Sequence, residues 1–256
     1  MPTPHLLQDT AELTVPVPAA PLRVVACAAR TDCGMRRPAH EDALLVAAPL
    51  LAVADGAGGH RAGEEASAMV VDVLRREVRA FADDPATELH GALVHANAAV
   101  RASARVAGRE GMATTIVAAL VGAGSLTVAH VGDNRAYLLR GGQLQQLTDD
   151  HTLVAALVDG GALDAAATRT HPMRAVILRA LGLEEEVRPV LSTHDARRDD
   201  VVLLCSDGLS DALDASELAR LLCDEHDLDR VVERLASAAA KAGTGDDVTA
   251  VAARLG

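Results

Sequence analysis

Two residue types are nearly missing from this chain. Phe81 and Tyr137 are its whole aromatic set in 256 residues, and tryptophan is absent. The core must therefore be built from Ala, Val and Leu. Lysine is as scarce: Lys241, in AAAKAGT, is the only one. A P-loop needs Gly-Lys-Ser/Thr, and a protein kinase needs a strand lysine for the nucleotide phosphates, so neither is available in its usual form. No apolar run reaches the roughly 18 residues of a spanning helix, so no membrane span is expected. The N-terminus, MPTPHLLQDTAELTVPVPAAP, has no basic start and no long apolar stretch, unlike a secretory signal. The four cysteines, Cys27, Cys33, Cys205 and Cys223, form no C-x-x-C pair. That pattern suits free thiols in a reduced, cytoplasmic chain.

Acid is present in excess: 36 Asp and Glu against 24 Lys and Arg, a net charge of −12. A nucleic-acid binder needs a basic face, so nucleic acid is a poor expectation. The acids are either a solvated surface or carboxylates gathered for cations.

The proline-rich residues 1–21 read as a loose leader, and 22–256 as one domain without repeats. LRVVACAA (22–29) reads as a short buried strand. Residues 43–54 read as two strands, or one broken at Pro49. Apolar residues at three- and four-residue steps predict helices over 62–81 and 88–107. Four short β-like runs between 112 and 150, parted by glycines, predict a meander. Residues 152–181 read as a polar, partly helical excursion. Strands are expected at 187–194, 200–206 and 247–255, and helices at 216–225 and 228–242. This order is not strict βαβα alternation. It predicts an α+β fold of antiparallel sheets with helices on their outer faces.

The residues that carry chemistry stand at strand ends. LLAVADGAGGH (50–60) runs from five apolar residues into Asp55 and then Gly56, Gly58 and Gly59. DVVLLCSDG repeats the design with Asp207, and AHVGDNR with Asp133. Asp246 precedes the last strand, and Glu41 and Asp42 precede another. An isolated Asp-Gly is usually a plain turn. An ionised carboxylate at the edge of an apolar strand is costly unless it is paired or binds a cation, and five such places argue for convergence. Oxygen-only ligands suit Mg²⁺ or Mn²⁺ rather than zinc. Two such ions would activate a water for phosphoryl transfer. A zinc site on His60 and Glu64 lacks further ligands.

The segments TDCGMRRPAHEDA, VADGAGGHRAGEEAS, GMATT, VAHVGDNRAY, LLCSDGLSD and GDDVTAV, in this order, resemble the metal-dependent serine/threonine protein phosphatases of the protein phosphatase 2C (PPM) family, in their bacterial form. The likeness runs from about residue 22 to 255. It implies an α-β-β-α sandwich, two packed antiparallel sheets flanked by helix pairs, with the site at one end. It implies hydrolysis of phosphoserine and phosphothreonine in proteins, a serine/threonine kinase as counterpart, and a monomer. By the same resemblance Asp55 bridges two metals and Gly56 offers its carbonyl to one. Asp207 and Asp246 complete the second ion, with Glu41 and Asp42 on it directly or through water. Asp133 with Asp207 would hold a third ion, Arg37 would grip the substrate phosphate, and residues 149–181 would form a flap beside the site.

Several positions depart from the family pattern. His40 stands where Asn usually precedes the acid pair, Ala113-Thr114-Thr115 replaces Gly-Thr-Thr, and Asp246-Asp247 replaces Asp-Asn. Ala57 stands where other members carry Met or a proton-donating His. His40 and Asp247 put the hydrogen bonding behind the metal ligands in question. These departures motivate the alternative of a phosphatase-like regulatory module with little activity. His60 reads as a helix cap at least as well as an acid, Arg36 as the second choice to Arg37, and Asp211 as a cap or outer support. His151 and His171 read as surface residues, and Thr114 and Thr115 as strand residues bonding the ligand acids. A cysteine phosphatase needs Cys-x₅-Arg. No cysteine here has Arg six positions on, so that route is closed.

Overall fold

A computed structural model describes residues 22–256 apart from 35, 36, 38, 59, 60, 81, 107 and 108. His60, Arg36 and the 1–21 leader therefore lie outside the described residues. Two five-stranded sheets pack face to face, and every pairing in them is antiparallel. One sheet runs β1 (Val24–Asp32), β10 (Val248–Leu255), β9 (Val201–Cys205), β6 (Arg135–Arg140), β7 (Gln143–Gln146). The other runs β2 (Asp42–Ala47), β3 (Leu50–Ala57), β4 (Ala113–Val121), β5 (Ser125–Val131), β8 (Val190–Asp195). The break at Pro49 is a turn, so residues 43–54 are two strands.

The apolar runs look continuous because the central strands are buried on both faces. Leu51 and Val53 of β3, and Val202 and Leu204 of β9, point into the space between the sheets. Their neighbours Ala52 and Ala54 face α1 (Arg61–Glu77) and α2 (Pro85–Ala104), which pack on the second sheet. Leu203 and Cys205 face α5 (Ala215–Cys223) and α6 (Leu228–Ala242) on the first. The largest fully buried side chains are almost all Leu, with Met112 and Ile116, as a chain so poor in aromatics requires. Burying each contributes roughly 1.5–3 kcal/mol.

Helix ends carry local signals. Asp84 accepts from the amides of Ala86 and Thr87 at 3.1 and 3.2 Å, and Pro85 follows it, so α2 starts three residues before the expected 88. A cap of this kind contributes about 1 kcal/mol. Gly243, at φ +86°, closes α6.

One expectation needs correction. β1 is not buried: Val25 is about half exposed, and only Ala28 is fully covered. Its apolar sequence was read as core, but among the described residues no strand pairs along its outer side. Asp207 opens α4, a single helical turn (Asp207–Ser210) too short to show any periodicity in the sequence. Among the described residues no helix is long and apolar enough to cross a membrane.

Candidate metal centre

One end of the sandwich collects the carboxylates. In β3, Leu51 and Val53 face the inter-sheet space, and the two-residue period puts Asp55 on that same side. Asp42 opens β2 directly opposite Asp55. Asp133 sits in the turn between β5 and β6, Asp207 follows β9, and Asp246 precedes β10. Antiparallel order brings these ends together. Asp55 feels the charges of Asp207, Asp42, Asp133 and Asp246, and Asp207 those of Asp133, Asp246, Asp211 and Asp42.

Sterics also require the glycines. A Cβ on Gly56 would stand 2.1 Å from the Gly63 carbonyl oxygen and 2.8 Å from that of Glu41. Only glycine lets the start of α1 and the end of β3 approach so closely. A Cβ on Gly208 would stand 2.0 Å from the Asp247 carbonyl oxygen. These contacts lock the ligand-bearing ends against each other.

Asp42, Asp55, Asp133 and Asp207 hold their protons more firmly than acids in water. Burial, then the facing carboxylates, push Asp55 and Asp207 well above the ordinary aspartate range. Burial, with the charge of Asp150 adding to it, pushes Asp133 to about 7. Burial takes Asp42 to about 6, although the nearby hydroxyls of Thr249 and Ser206 pull it down. Those hydroxyls do not meet Asp42 in hydrogen-bonding geometry, for Thr249 bonds Thr31 at 2.6 Å and Ser206 receives the Thr249 amide at 3.0 Å. Both oxygens of Asp42 and the Oδ1 atoms of Asp133 and Asp207 have no hydrogen-bond partner among the described residues. Buried oxygens of that kind, facing one another, fit hard divalent cations, which desolvate oxygen ligands and neutralise the repulsion. No three His, Cys, Asp or Glu side chains among the described residues close into a cage around one ion. Hard cations with one or two carboxylates each complete their shells with water, so the open arrangement suits them.

Arg37 lies inside this ring. Its Nε donates to Asp246 Oδ1 at 2.6 Å, with Nη2 ion-paired to the same oxygen at 2.5 Å, and its Nη1 donates to Glu41 Oε2 at 2.9 Å. About a third of the side chain stays exposed. The two departures at positions 40 and 247 both find partners. His40 Nε2 meets Thr31 Oγ1 at 2.6 Å. Asp247 accepts the Gly34 amide on one oxygen at 2.8 Å and the Glu41 amide on the other at 2.7 Å. The acid thus ties both ends of the loop that carries Arg37.

Thr114, read as a strand residue bonding a ligand acid, does so at the backbone: its Oγ1 donates to the Asp55 carbonyl at 2.8 Å. Other residues escaped the sequence reading. Asn134, buried, donates to the Val53 carbonyl at 3.1 Å and pins the Asp133 turn to β3. His151 is not a surface residue. Its Nδ1 accepts the Gly132 amide at 3.0 Å while its own amide donates to the Gly132 carbonyl at 2.9 Å. It stacks on His130 with centroids 4.7 Å apart, and burial, helped by the charges of His130 and Arg179, lowers its pKa to about 4. His171 does cap a local turn, accepting the Met173 amide at 3.2 Å. The bidentate Arg135–Asp150 pair, at 2.8 and 2.6 Å, ties β6 to the root of the flap. The flap itself comprises α3 (Leu153–Asp159) and a 3-10 turn (Ala165–Thr170), and Leu181 rejoins β4 by pairing with Thr114. Its Arg169 and Arg174 both reach Asp211, which lies at the end of α4 beside a cavity of about 110 Å³ that Asp133 and Asp207 also line.

Two packed antiparallel sheets, helix pairs on both outer faces and a carboxylate-lined mouth at one end define an α-β-β-α sandwich built around a hard-cation site. The chain belongs to the protein phosphatase 2C family, whose sequence profile matches residues 39–250. It is 41% identical over 239 residues to the serine/threonine protein phosphatase PstP of Mycobacterium tuberculosis, covering 90% of this chain and 45% of that protein. The chain therefore spans about half the length of that relative. It is 35% identical over 207 residues to the serine/threonine phosphatase stp of Listeria monocytogenes, covering 78% of this chain and 82% of that one. The crystal structure of the PstP catalytic domain in complex with two manganese ions superposes with a TM-score of 0.83 at 37% identity, over 91% of this chain and 99% of that one.

Proposed function

We propose that this protein hydrolyses phosphoserine and phosphothreonine esters in other proteins, using two divalent cations, Mn²⁺ or Mg²⁺, as the related PstP domain binds two manganese ions. The observation that carries the reading is the set of buried, unpartnered carboxylate oxygens on Asp42, Asp133 and Asp207 around Asp55. Asp55, Asp207 and Asp246, with the Gly56 carbonyl, would hold the ions. Glu41 and Asp42 would support them directly or through water, and Asp133 would serve a third. When bound, such ions supply Lewis acidity and a water that ionises near neutral pH.

The chain's own groups do the rest. Arg37 presents a guanidinium, fixed by Glu41 and Asp246, at the rim where a phosphate dianion would enter. Its planar fork suits two phosphate oxygens. Thr114 holds the Asp55 backbone, and Asn134 holds the Asp133 turn, so the ligand spacing is fixed before any ion arrives. Cys205, two residues before Asp207, is no competing nucleophile: it is fully buried and burial raises its thiol to about 12. All the acids come from one chain, which supports action as a monomer. Four free cysteines support a cytoplasmic setting, beside a serine/threonine kinase that makes the substrates.

Hydrolysis of a phosphothreonine peptide with Mn²⁺, with EDTA, and by Asp55→Asn protein tests the reading. Phosphate release that needs the metal and is lost in the variant is expected. Folded protein with no turnover under any divalent cation would leave the regulatory-module alternative standing.

A further inference from the structure

A groove of about 490 Å³ lies along the segment that leaves the flap, and none of the carboxylates of the metal centre lines it. It begins at Val131, two residues from Asp133, and its apolar floor includes Leu178, Leu183 and Val187. Among the described residues nine large apolar side chains are exposed, and two of them, Leu178 and Leu183, line this one groove. Exposed apolar side chains that share a concave surface mark a contact site better than scattered ones do.

The groove is a fixed shape. Asn97 of α2, 2% exposed, reaches out of the helix layer beneath it. Its Oδ1 accepts the Gly182 amide at 2.7 Å, and its Nδ2 donates to the carbonyls of Glu184 and Glu185 at 3.0 and 3.2 Å. A buried amide that spends its capacity on three backbone groups of one loop holds that loop in a single conformation. Leu181, inside the same segment, is paired with Thr114, whose hydroxyl bonds the Asp55 carbonyl. Groove and metal centre are thus one rigid unit.

Its charges are ordered along its length. Arg179 lies at the site end, close enough to His130 and His151 to lower their pKa values, and it makes no ion pair among the described residues. Glu184, Glu185 and Glu186 lie further out. Among the described residues only Glu186 of the three has a basic partner, Arg188 at 3.9 Å, and both side chains are more than four-fifths exposed. Glu184 and Glu185 pair with no described basic side chain.

We propose that this groove docks the flank of the phosphoprotein substrate, and that it selects a segment with an apolar residue near the phosphorylated one and basic residues beyond it. The proposal rests on the phosphatase reading of the adjacent site. Anionic groups next to the phosphate fall beside Arg179, apolar side chains on Leu178 and Leu183, and lysine or arginine against Glu184 and Glu185. Such rim charges act on encounter and on KM more than on the chemical step.

The test compares two phosphothreonine peptides that share an apolar residue and differ only in a distal run of lysines or of glutamates, placed on each side in turn. Steady-state kinetics are measured with Mn²⁺ for the wild type, Glu184→Lys/Glu185→Lys and Leu183→Ser. p-Nitrophenyl phosphate, too small to reach the groove, is the control. The wild type should favour the lysine peptide on one side by about tenfold in kcat/KM through KM, and the charge-reversed variant should lose or invert that preference. Leu183→Ser should raise KM for both peptides, and all three proteins should hydrolyse p-nitrophenyl phosphate alike. Equal rates on both peptides, or a preference untouched by the charge reversal, overturn the groove while leaving the phosphatase reading intact. Loss of p-nitrophenyl phosphate hydrolysis in the wild type would instead remove the reading beneath it.

Discussion

Strand β9 has an aspartate at each end, and the two are treated in opposite ways. Asp200, just before the strand, is 1% exposed and fully partnered. Arg140 grips both its oxygens at 2.8 and 2.6 Å, and the Arg197 amide donates at 2.7 Å. Asp207, just after the strand, is partly exposed, but its Oδ1 is buried with no partner among the described residues, and it faces other acids. An arginine grips one carboxylate, and none of the described arginines pairs with the other. Asp200 joins the sheet to its loops. Asp207 keeps an unfilled demand for positive charge, which is what a cation site is before the cation binds.

Exchanging charge for neutrality at the two ends should separate these roles. Asp207→Asn should lower phosphopeptide turnover by about three orders of magnitude or more, since it removes an ion ligand. In EDTA the same variant should melt higher than the wild type, because a repelled carboxylate has gone. A variant that lost activity and melted lower in EDTA would show that Asp207 is structural after all. Asp200→Ala should do the reverse, costing about 1–3 kcal/mol of stability by losing charge-assisted hydrogen bonds, with turnover per folded molecule unchanged. Urea unfolding monitored by circular dichroism reads the first, and active-site-normalised kinetics the second. Adding Mn²⁺ should stabilise the wild type by about 2.7 kcal/mol at a hundred times its dissociation constant. Asp207→Asn should show a smaller gain, and Asp200→Ala an equal one.

The sequence made the site end of this comparison legible and left the other end dark. Asp55, Asp133 and Asp207 each follow an apolar run, and the clash between a charge and such a run is visible without any fold. The family motifs then located Arg37, Glu41, Asp42 and Asp246 in the same mouth, where the structure places them. What stayed hidden depends on distance along the chain. Asp247 meets the Glu41 amide across 206 positions and Gly34 across 213, so no local pattern shows that its two oxygens hold one loop. Arg140 and Asp200 are 60 residues apart, and no local pattern joins them. His151 read as a surface residue in a polar stretch, yet two hydrogen bonds to Gly132 and the stack on His130 leave it half-buried. β1 failed the other way: apolar composition says nothing of whether a strand has a neighbour on both sides. Gly56 and Gly208 were noticed, but their cause is contact with Gly63 and Asp247, which only packing reveals.

The smallest expected effect is a pH dependence that isolates a single orphaned acid. Burial raises Asp133 from about 3.8 to about 7 in the metal-free fold. Between those values the folded chain binds a proton that the unfolded chain does not, so the stability contribution falls as pH rises through the window. From pH 6 to pH 8 the folded group changes from mostly protonated to mostly ionised while the unfolded one stays ionised throughout, a loss of about 1 kcal/mol. His151 has the opposite sign. Its pKa is lowered from about 6.5 to about 4, so its contribution is complete above pH 6.5 and is lost as pH falls toward 4. The two are separated by measuring the wild type against Asp133→Asn in EDTA, since His151 is common to both. The gap should favour Asp133→Asn increasingly from pH 6 to pH 8 and should shrink when Mn²⁺ is added. A gap that stays flat with pH would mean that Asp133 is already ionised and partnered, and the acids at this mouth would then be no different from Asp200 at the far end of β9.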